Sequence, residues 1–261
     1  MTFSGVSLLS PPAELFKEKL IKYATSDKIV RYFCGTCGSH VCYYAVKDDR
    51  WGVCPGAIDE VLGEYSGKLE KYTGHEFVAD TLDGGFSWCI PDIPSYMEDD
   101  GATPSTDLKG DLQKLGLARS GNAGQGTVEA ECHCGQVNFS IKAAEHGQSI
   151  VAWALNVPHD RVVWSDGSVF DGTPRQSLKV FKSSDDVQRH FCSKCGASVF
   201  YDIAKEPETV DVAFGVLRAK DGSLARSFFE WDTEKVHHLE DAVDKDLLTL
   251  VKDNLAALKE V

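Results

Sequence analysis

Apolar residues in this chain fall mostly at every second position in short runs, the period of a β-strand with one buried face. Val137, Phe139 and Ile141 form one such run. Reading the second half the same way, between Gly, Pro, Asn and Asp turn signals, predicts short strands at 128–141, 150–155, 161–164, 178–182, 187–191, 197–203, 210–216 and 225–231. The period changes at the end. Leu239, Val243, Leu247, Leu250, Val251, Leu255 and Leu258 recur three or four positions apart, which predicts a helix over 239–261 with its apolar stripe packed on its own domain.

The first half is less regular. Pro11-Pro12 followed by good helix formers predicts a short helix that gives way to strand near 18–20. A strand, tight turn and strand are expected over 31–46, with further strands at 51–58 and 75–81 around Gly56, Gly67 and Gly74. Asp83-Gly84-Gly85 reads as a hairpin turn. Residues 96–127 are rich in Gly, Ser, Asp and Pro and read as a linker, with one or two helical turns at 106–115. The organisation expected is a domain at 1–95, the linker at 96–127, a second domain at 128–238 and a closing helix. Both domains are mainly β, built of small antiparallel sheets.

The two halves share a stretch. S-D-K-I-V-R-Y-F-C-G-T-C-G-S-H-V-C-Y, from Ser26 to Tyr43, aligns at a constant offset with residues 184–201. Ser26, Asp27, Arg31, Phe33, Cys34, Cys37, Gly38, Val41 and Tyr43 meet identical residues there, and Leu20 and Tyr23 meet Leu178 and Phe181. Such self-similarity predicts a duplicated unit.

Composition narrows the possible functions. The chain has 261 residues and 43% hydrophobic content, enough for two modest cores. Its net charge of −13 at pH 7 argues against nucleic acid or an anionic membrane as partner, since phosphate binding needs clustered Lys and Arg. No apolar run reaches the length of a membrane span. Nine cysteines, an odd number set close together as C-x-C and C-x-x-C, suggest a reducing, cytoplasmic setting in which thiols serve metal rather than disulfides.

The spacing of those cysteines carries the chemistry. Cys192 and Cys195 in R-H-F-C-S-K-C-G, and Cys132 and Cys134 in E-C-H-C-G-Q-V, are two close pairs, each followed by glycine and a strand. Together they predict a closed tetrahedral Zn2+ site; a disulfide pair and inert buried thiols are the other readings. Cys34 and Cys37 copy the second pair in the first half and are candidate ligands too. No C-x-C strand precedes them, leaving Cys42, Cys54 and Cys89 as the only thiols that could complete the set. Cys42, opposite Phe200 in the alignment, is expected to point into the core. His75, Phe77, Asp80 and Thr81 could line a pocket, but a strand and its turn is the simpler reading. The adjacent His237 and His238 read as part of a helix cap, and the five tryptophans as packing residues.

C-x-C-G-x-V-x-F, followed about sixty residues later by R-H-F-C-x-x-C-G-x-x-x-F-Y, resembles the glutathione-dependent formaldehyde-activating enzyme family, also called the GFA or centromere protein V domain. The resemblance covers the second half well and the first from about Leu20 onward, and tandem copies are similar to a fungal subgroup. It implies β-tent domains pinned by zinc at Cys132, Cys134, Cys192 and Cys195, and carbon–sulfur lyase activity on glutathione or another small thiol adduct such as S-(hydroxymethyl)glutathione. Members of the family hold a second, catalytic zinc with a C-H-C-x-x-C element shortly before a Val-Pro strand. Here Val157-Pro158 is present, and the segment before it, I-K-A-A-E-H-G-Q-S-I-V-A-W, has no cysteine; only His146, His159 and Asp160 stand nearby. Two readings follow: a zinc lyase for small thiol adducts, and a zinc-stabilised binding or scaffold module without catalysis.

Overall fold

The computed structural model describes residues 19–58, 72–98, 102–114, 126–142, 149–151, 154–231 and 245–255. Among them the chain is mainly β, with three small sheets, no closed barrel and a short helix near the end. The expected helix at the N-terminus, His146, Trp153 and the His237-His238 pair fall outside the described residues.

The first sheet is an antiparallel meander of β1 (Leu20–Ala24), β2 (Ile29–Cys34), β3 (His40–Ala45) and β4 (Arg50–Val53). Its turns are made by the residue types that favour them. Ser26 Oγ accepts the N–H groups of Lys28 and Ile29 at 3.2 Å between β1 and β2. Asp49 takes a positive φ of 47° between β3 and β4 and accepts the Tyr44 hydroxyl at 2.8 Å.

The second half supplies the other two sheets. β5 (Thr127–Glu131), β6 (Asn138–Lys142) and β9 (Val162–Trp164) form one, in that order. The larger sheet holds β7 (Ser149–Val151), β8 (Ala154–Pro158), β10 (Leu178–Ser184), β11 (Val187–Cys192), β12 (Ser198–Ile203), β13 (Thr209–Ala213) and β14 (Glu230–Trp231), ordered β10-β11-β12-β13-β8-β7-β14. All its pairings are antiparallel except β14 on β7. The main core lies where these two sheets face each other. Val128, Phe139, Ile141 and Trp164 of one sheet and Leu155 and Phe200 of the other are buried there, with Phe170 from the segment between β9 and β10, and the strand residues show the burial the two-residue period implied.

The aligned stretches fold alike. Leu20 pairs with Cys34 and Leu178 with Cys192, and Tyr23 with Arg31 as Phe181 with Arg189. On the other edge Ile29 pairs with Ala45 and Val187 with Ile203. Even the irregularity repeats, between Tyr32 and Phe33 in one copy and between His190 and Phe191 in the other. A one-residue slip in either hairpin would turn every side chain to the wrong face, so this agreement is a property of each whole hairpin.

The two hairpins also pack on each other reciprocally. A Cβ placed on Gly38 would lie 2.5 Å from Phe191 Cγ, and one on Gly196 2.6 Å from Phe33 Cγ. Both glycines have left-handed backbone, with φ of 80° and 74°, and both phenylalanines are buried. Each turn therefore needs glycine for its conformation and again for the ring above it.

A second contact ties residues 72–98 to the second half. The Asp83 carboxylate accepts the N–H groups of Gly85 at 3.0 Å and Leu224 at 2.7 Å and the Ser223 hydroxyl at 3.2 Å. Burial pushes its carboxyl up from the ordinary value, although these bonds pull the other way. The helices are α1 (Leu108–Lys114), within the expected linker, and α2 (Lys245–Asn254), within the expected closing helix. Leu255 at the end of α2 is buried with Cys89 and Leu224, and Val251 packs beside them, so this helix covers its own chain as its apolar period required.

Several expected strands are shorter than their apolar runs. The run at 128–141 is broken by the turn from Cys132 to Val137, where Gly135 has a φ of 72°. Residues 51–58 stop being strand at Cys54, because Pro55 opens a turn of 3-10 helix. Residues 75–81 are not a strand: His75 makes one isolated bridge to Ser95 and Val78–Thr81 is 3-10 helix. Phe214–Val216 is likewise 3-10, and of 225–231 only Glu230–Trp231 pairs. At Pro55, Phe77, Gly135 and Ala225 a residue with restricted or positive φ overrides the propensity of its neighbours.

Candidate metal centre

The candidate metal centre is assembled from two turns. The β5–β6 turn carries Cys132 and Cys134 and is closed by Cys132 N–H to Val137 O at 2.9 Å and Gly135 N–H to Cys132 O at 3.0 Å. The β11–β12 turn carries Cys192 and Cys195 and is closed by Cys192 N–H to Ala197 O at 2.9 Å and Gly196 N–H to Cys192 O at 2.8 Å.

The four sulfurs of Cys132, Cys134, Cys192 and Cys195 lie within 4.8 Å of one another. Cys134 Sγ is 3.6 Å from both Cys132 Sγ and Cys192 Sγ. A tetrahedron with Zn–S bonds of about 2.3 Å has edges of roughly 3.8 Å, so the arrangement fits that ion with little movement. Four thiolates are also a donor set that selects zinc or iron–sulfur over hard cations. Cys132, Cys192 and Cys195 are buried.

Peptide donors surround the sulfurs. Val137 N–H donates to Cys132 Sγ at 3.3 Å. Cys192 receives the N–H groups of Cys195 and Lys194, and Cys195 those of Ala197 and Cys134. The four thiols differ in how firmly each holds its proton. Cys132 is pushed up to about 12, first by donating to Cys195 and then by burial. The same bond holds Cys195 below its ordinary value, and burial raises Cys192. A dication would let all four ionise, which is the sense in which the site is built for one.

One contact over this centre has no counterpart in the expectations. The Tyr23 hydroxyl meets His133 Nδ1 at 2.7 Å, and the rings meet edge to face at 5.5 Å. Tyr23 comes from β1 of the first half, His133 from between the two ligand cysteines, and the nearby thiols help to raise the Tyr23 phenol after burial does. The position of His133 between Cys132 and Cys134 was the available signal, and nothing in the spacing of Tyr23 pointed to it.

Cys34 and Cys37 form the same turn without the same company. Gly38 N–H donates to Cys34 O at 2.9 Å and Cys34 N–H to Ser39 O at 2.9 Å, matching the second-half turn bond for bond. The backbone N–H groups of Cys37 and Thr36 hold the Cys34 thiol below its ordinary value. No third Cys, His, Asp or Glu joins the pair among the described residues. All nine cysteines of the chain are among those residues and are free thiols. Cys42 and Cys89 are buried, each pushed up to about 11 by desolvation. Cys42 is thus the core residue its alignment with Phe200 implied, and Cys89 lies in the separate cluster under α2.

The remaining candidates are structural in their contacts. His75 donates from Nε2 to Ile90 O at 3.0 Å. It borders a cleft of about 710 Å³ shared with Thr81, Phe86, Cys89 and Val251; the four-cysteine cluster is not on its walls. His159 and His190 both meet the Phe170 ring edge to face, at ring distances of 5.1 and 5.8 Å. Of the described tryptophans, Trp88 and Trp231 donate to Asp83 O at 2.7 Å and Leu224 O at 2.9 Å, and Trp164 is buried in the main core. No helix among the described residues is long and apolar enough to cross a membrane.

Residues 127–230 match the family model described as glutathione-dependent formaldehyde-activating enzyme. No curated protein and no solved structure matches the chain.

Proposed function

Residues 127–230 form a domain of the glutathione-dependent formaldehyde-activating enzyme family, and from that premise we propose that the protein is a zinc-stabilised member acting on small thiol adducts. S-(hydroxymethyl)glutathione is the type substrate, and carbon–sulfur lyase is the reaction class. The observation that carries the reading is the convergence of Cys132, Cys134, Cys192 and Cys195 within 4.8 Å inside that domain.

Zinc held there by the thiolates of Cys132, Cys134, Cys192 and Cys195 would supply folding energy and, with all four ligands from the protein, no Lewis acidity toward substrate. The chain's own groups must therefore bind the adduct and move its hydroxyl proton as the C–S bond breaks to release aldehyde and thiolate. The chain is read as two related units, Cys34 and Cys37 belonging to the first, with 96–127 between them. Nine free thiols are consistent with a reducing, cytoplasmic setting.

The test is a titration of the zinc-loaded protein with glutathione and its formaldehyde adduct, followed by an assay of adduct cleavage. Binding with turnover supports the proposal; binding of neither compound ends it. A second reading, a binding or scaffold module without catalysis, is favoured by one specific observation. All nine cysteines are placed, and the five outside the cluster join no second group of three or more ligands among the described residues, which leaves no assembled set for a catalytic zinc. Adduct binding without turnover would select it.

A further inference from the structure

The turn at Cys34 and Cys37 keeps the backbone of a metal knuckle while lacking half of its ligands. We propose that it is a second metal site, an open two-thiolate knuckle that takes a soft monovalent cation of the Cu+ kind. The inference does not depend on thiol-adduct chemistry.

Three observations converge. The first is preorganisation. Both closing hydrogen bonds, the left-handed glycine and the N–H groups directed at the first sulfur reproduce the turn that presents Cys192 and Cys195 to the four-thiol cluster. The Cys37 thiol donates to Ser39 Oγ at 3.3 Å on the same turn, so it is held on the knuckle by the hairpin itself.

The second is ligand number. Every cysteine of the chain is placed, and none of the other seven groups with this pair. Two thiolates leave Zn2+ half coordinated. A closed-shell monovalent cation such as Cu+ is satisfied by two sulfurs and is selected by soft donors.

The third is access. Cys34 and Cys37 are both partly exposed, whereas Cys192 and Cys195 are buried. A cation could reach and leave the first pair without opening the core. Lys179 Nζ, donating to Gly35 O at 3.2 Å between the two cysteines, places a positive charge beside a pair whose complex with Cu+ would carry a net negative one.

The experiment uses the full chain loaded with zinc, reduced and kept without oxygen. Cu+ is supplied from a chromogenic chelator buffer, and copper and zinc are both measured after desalting. One copper per chain with zinc retained, and an X-ray absorption edge of two-coordinate Cu+, is the expected result. The Cys34→Ser/Cys37→Ser variant should lose the copper and keep the zinc, while Cys54→Ser, in the same sheet region, should keep both. Absence of copper in the parent chain overturns the proposal. So does copper gained only as zinc is lost, equal copper in the double variant, or loss of copper in Cys54→Ser. Cys37→Ser alone serves if the double variant does not fold, because its thiol is exposed enough to be replaced without a cavity.

Discussion

The hairpins Leu20–Ala45 and Leu178–Ile203 share their paired registers, the bulge beside the knuckle and the glycine-closed turn, the second adding a shift between Lys182 and Ser184, yet only one joins a four-cysteine cluster that could hold a metal ion. The difference lies outside them. Cys192 and Cys195 meet a second turn, between β5 and β6, that brings Cys132 and Cys134; Cys34 and Cys37 meet none. A knuckle is therefore a local product of its hairpin, and metal closure is a product of what packs against it. The cores differ in the same sense. Around the second hairpin Leu178, Val199 and Phe200 are buried in a large cluster, whereas Phe33, Cys42 and Ala45, buried by the first sheet, lie outside it. Its ring contacts, such as Tyr32 and Tyr44 on Trp51 at 5.3 and 5.1 Å, involve partly exposed residues.

Replacing one ligand in each hairpin would break the comparison most sharply. Cys192→Ser should abolish zinc binding and unfold the second half. The free energy of a structural zinc, about 10–16 kcal/mol in small domains, is as large as the roughly 5–15 kcal/mol net stability of a whole domain. Cys34→Ser should leave zinc content and the melting curve unchanged. Elemental analysis and circular dichroism read both, and equal effects would mean that the two knuckles are not different in kind.

The reciprocal glycines come next. Gly38→Ala and Gly196→Ala each force a Cβ into a phenylalanine of the opposite hairpin and hold alanine at positive φ. Each should cost about 2 kcal/mol or more in denaturant unfolding. If one costs much and the other nothing, the packing is not reciprocal.

Tyr23→Phe removes the 2.7 Å bond to His133 and keeps the ring. A single hydrogen bond is worth about 1 kcal/mol, so zinc extraction by a chelator should quicken by roughly fivefold. Phe181→Tyr, at the matching position of the other hairpin, should leave that rate alone.

The smallest effect concerns pH. Burial first, and then Arg31, hold His40 below its ordinary value of 6.5. The unfolded chain then binds more protons below about pH 6.5, so stability should be complete above that value and decline as pH falls through the window beneath it. His40→Asn should flatten the decline. Comparing the two chains at each pH removes the separate loss of zinc that acid causes, and identical slopes would exclude His40 as its source.

Much of this could be read from the residues. The alternation at Val137, Phe139 and Ile141 gave β6 and its buried face, and identities such as Phe33 with Phe191 gave two hairpins of one register. Where the reading was long, as at 51–58 and 75–81, a single Pro55 or a left-handed Phe77 ended a run that propensity alone would have continued. Such residues act through their own φ and outweigh the pattern around them.

The sequence by itself settled the mainly β character and the two knuckles, because each depends on neighbours a few positions away, and it offered C-x-C with C-x-x-C as a candidate zinc set. Tertiary structure alone decided that Cys134 and Cys192, 58 positions apart, would stand 3.6 Å from each other. It alone set Tyr23 over His133, 110 positions away, and left Cys34 and Cys37 without other thiols. Contacts of that range depend on how whole sheets stack, and stacking follows from the summed burial of many side chains that no local period records.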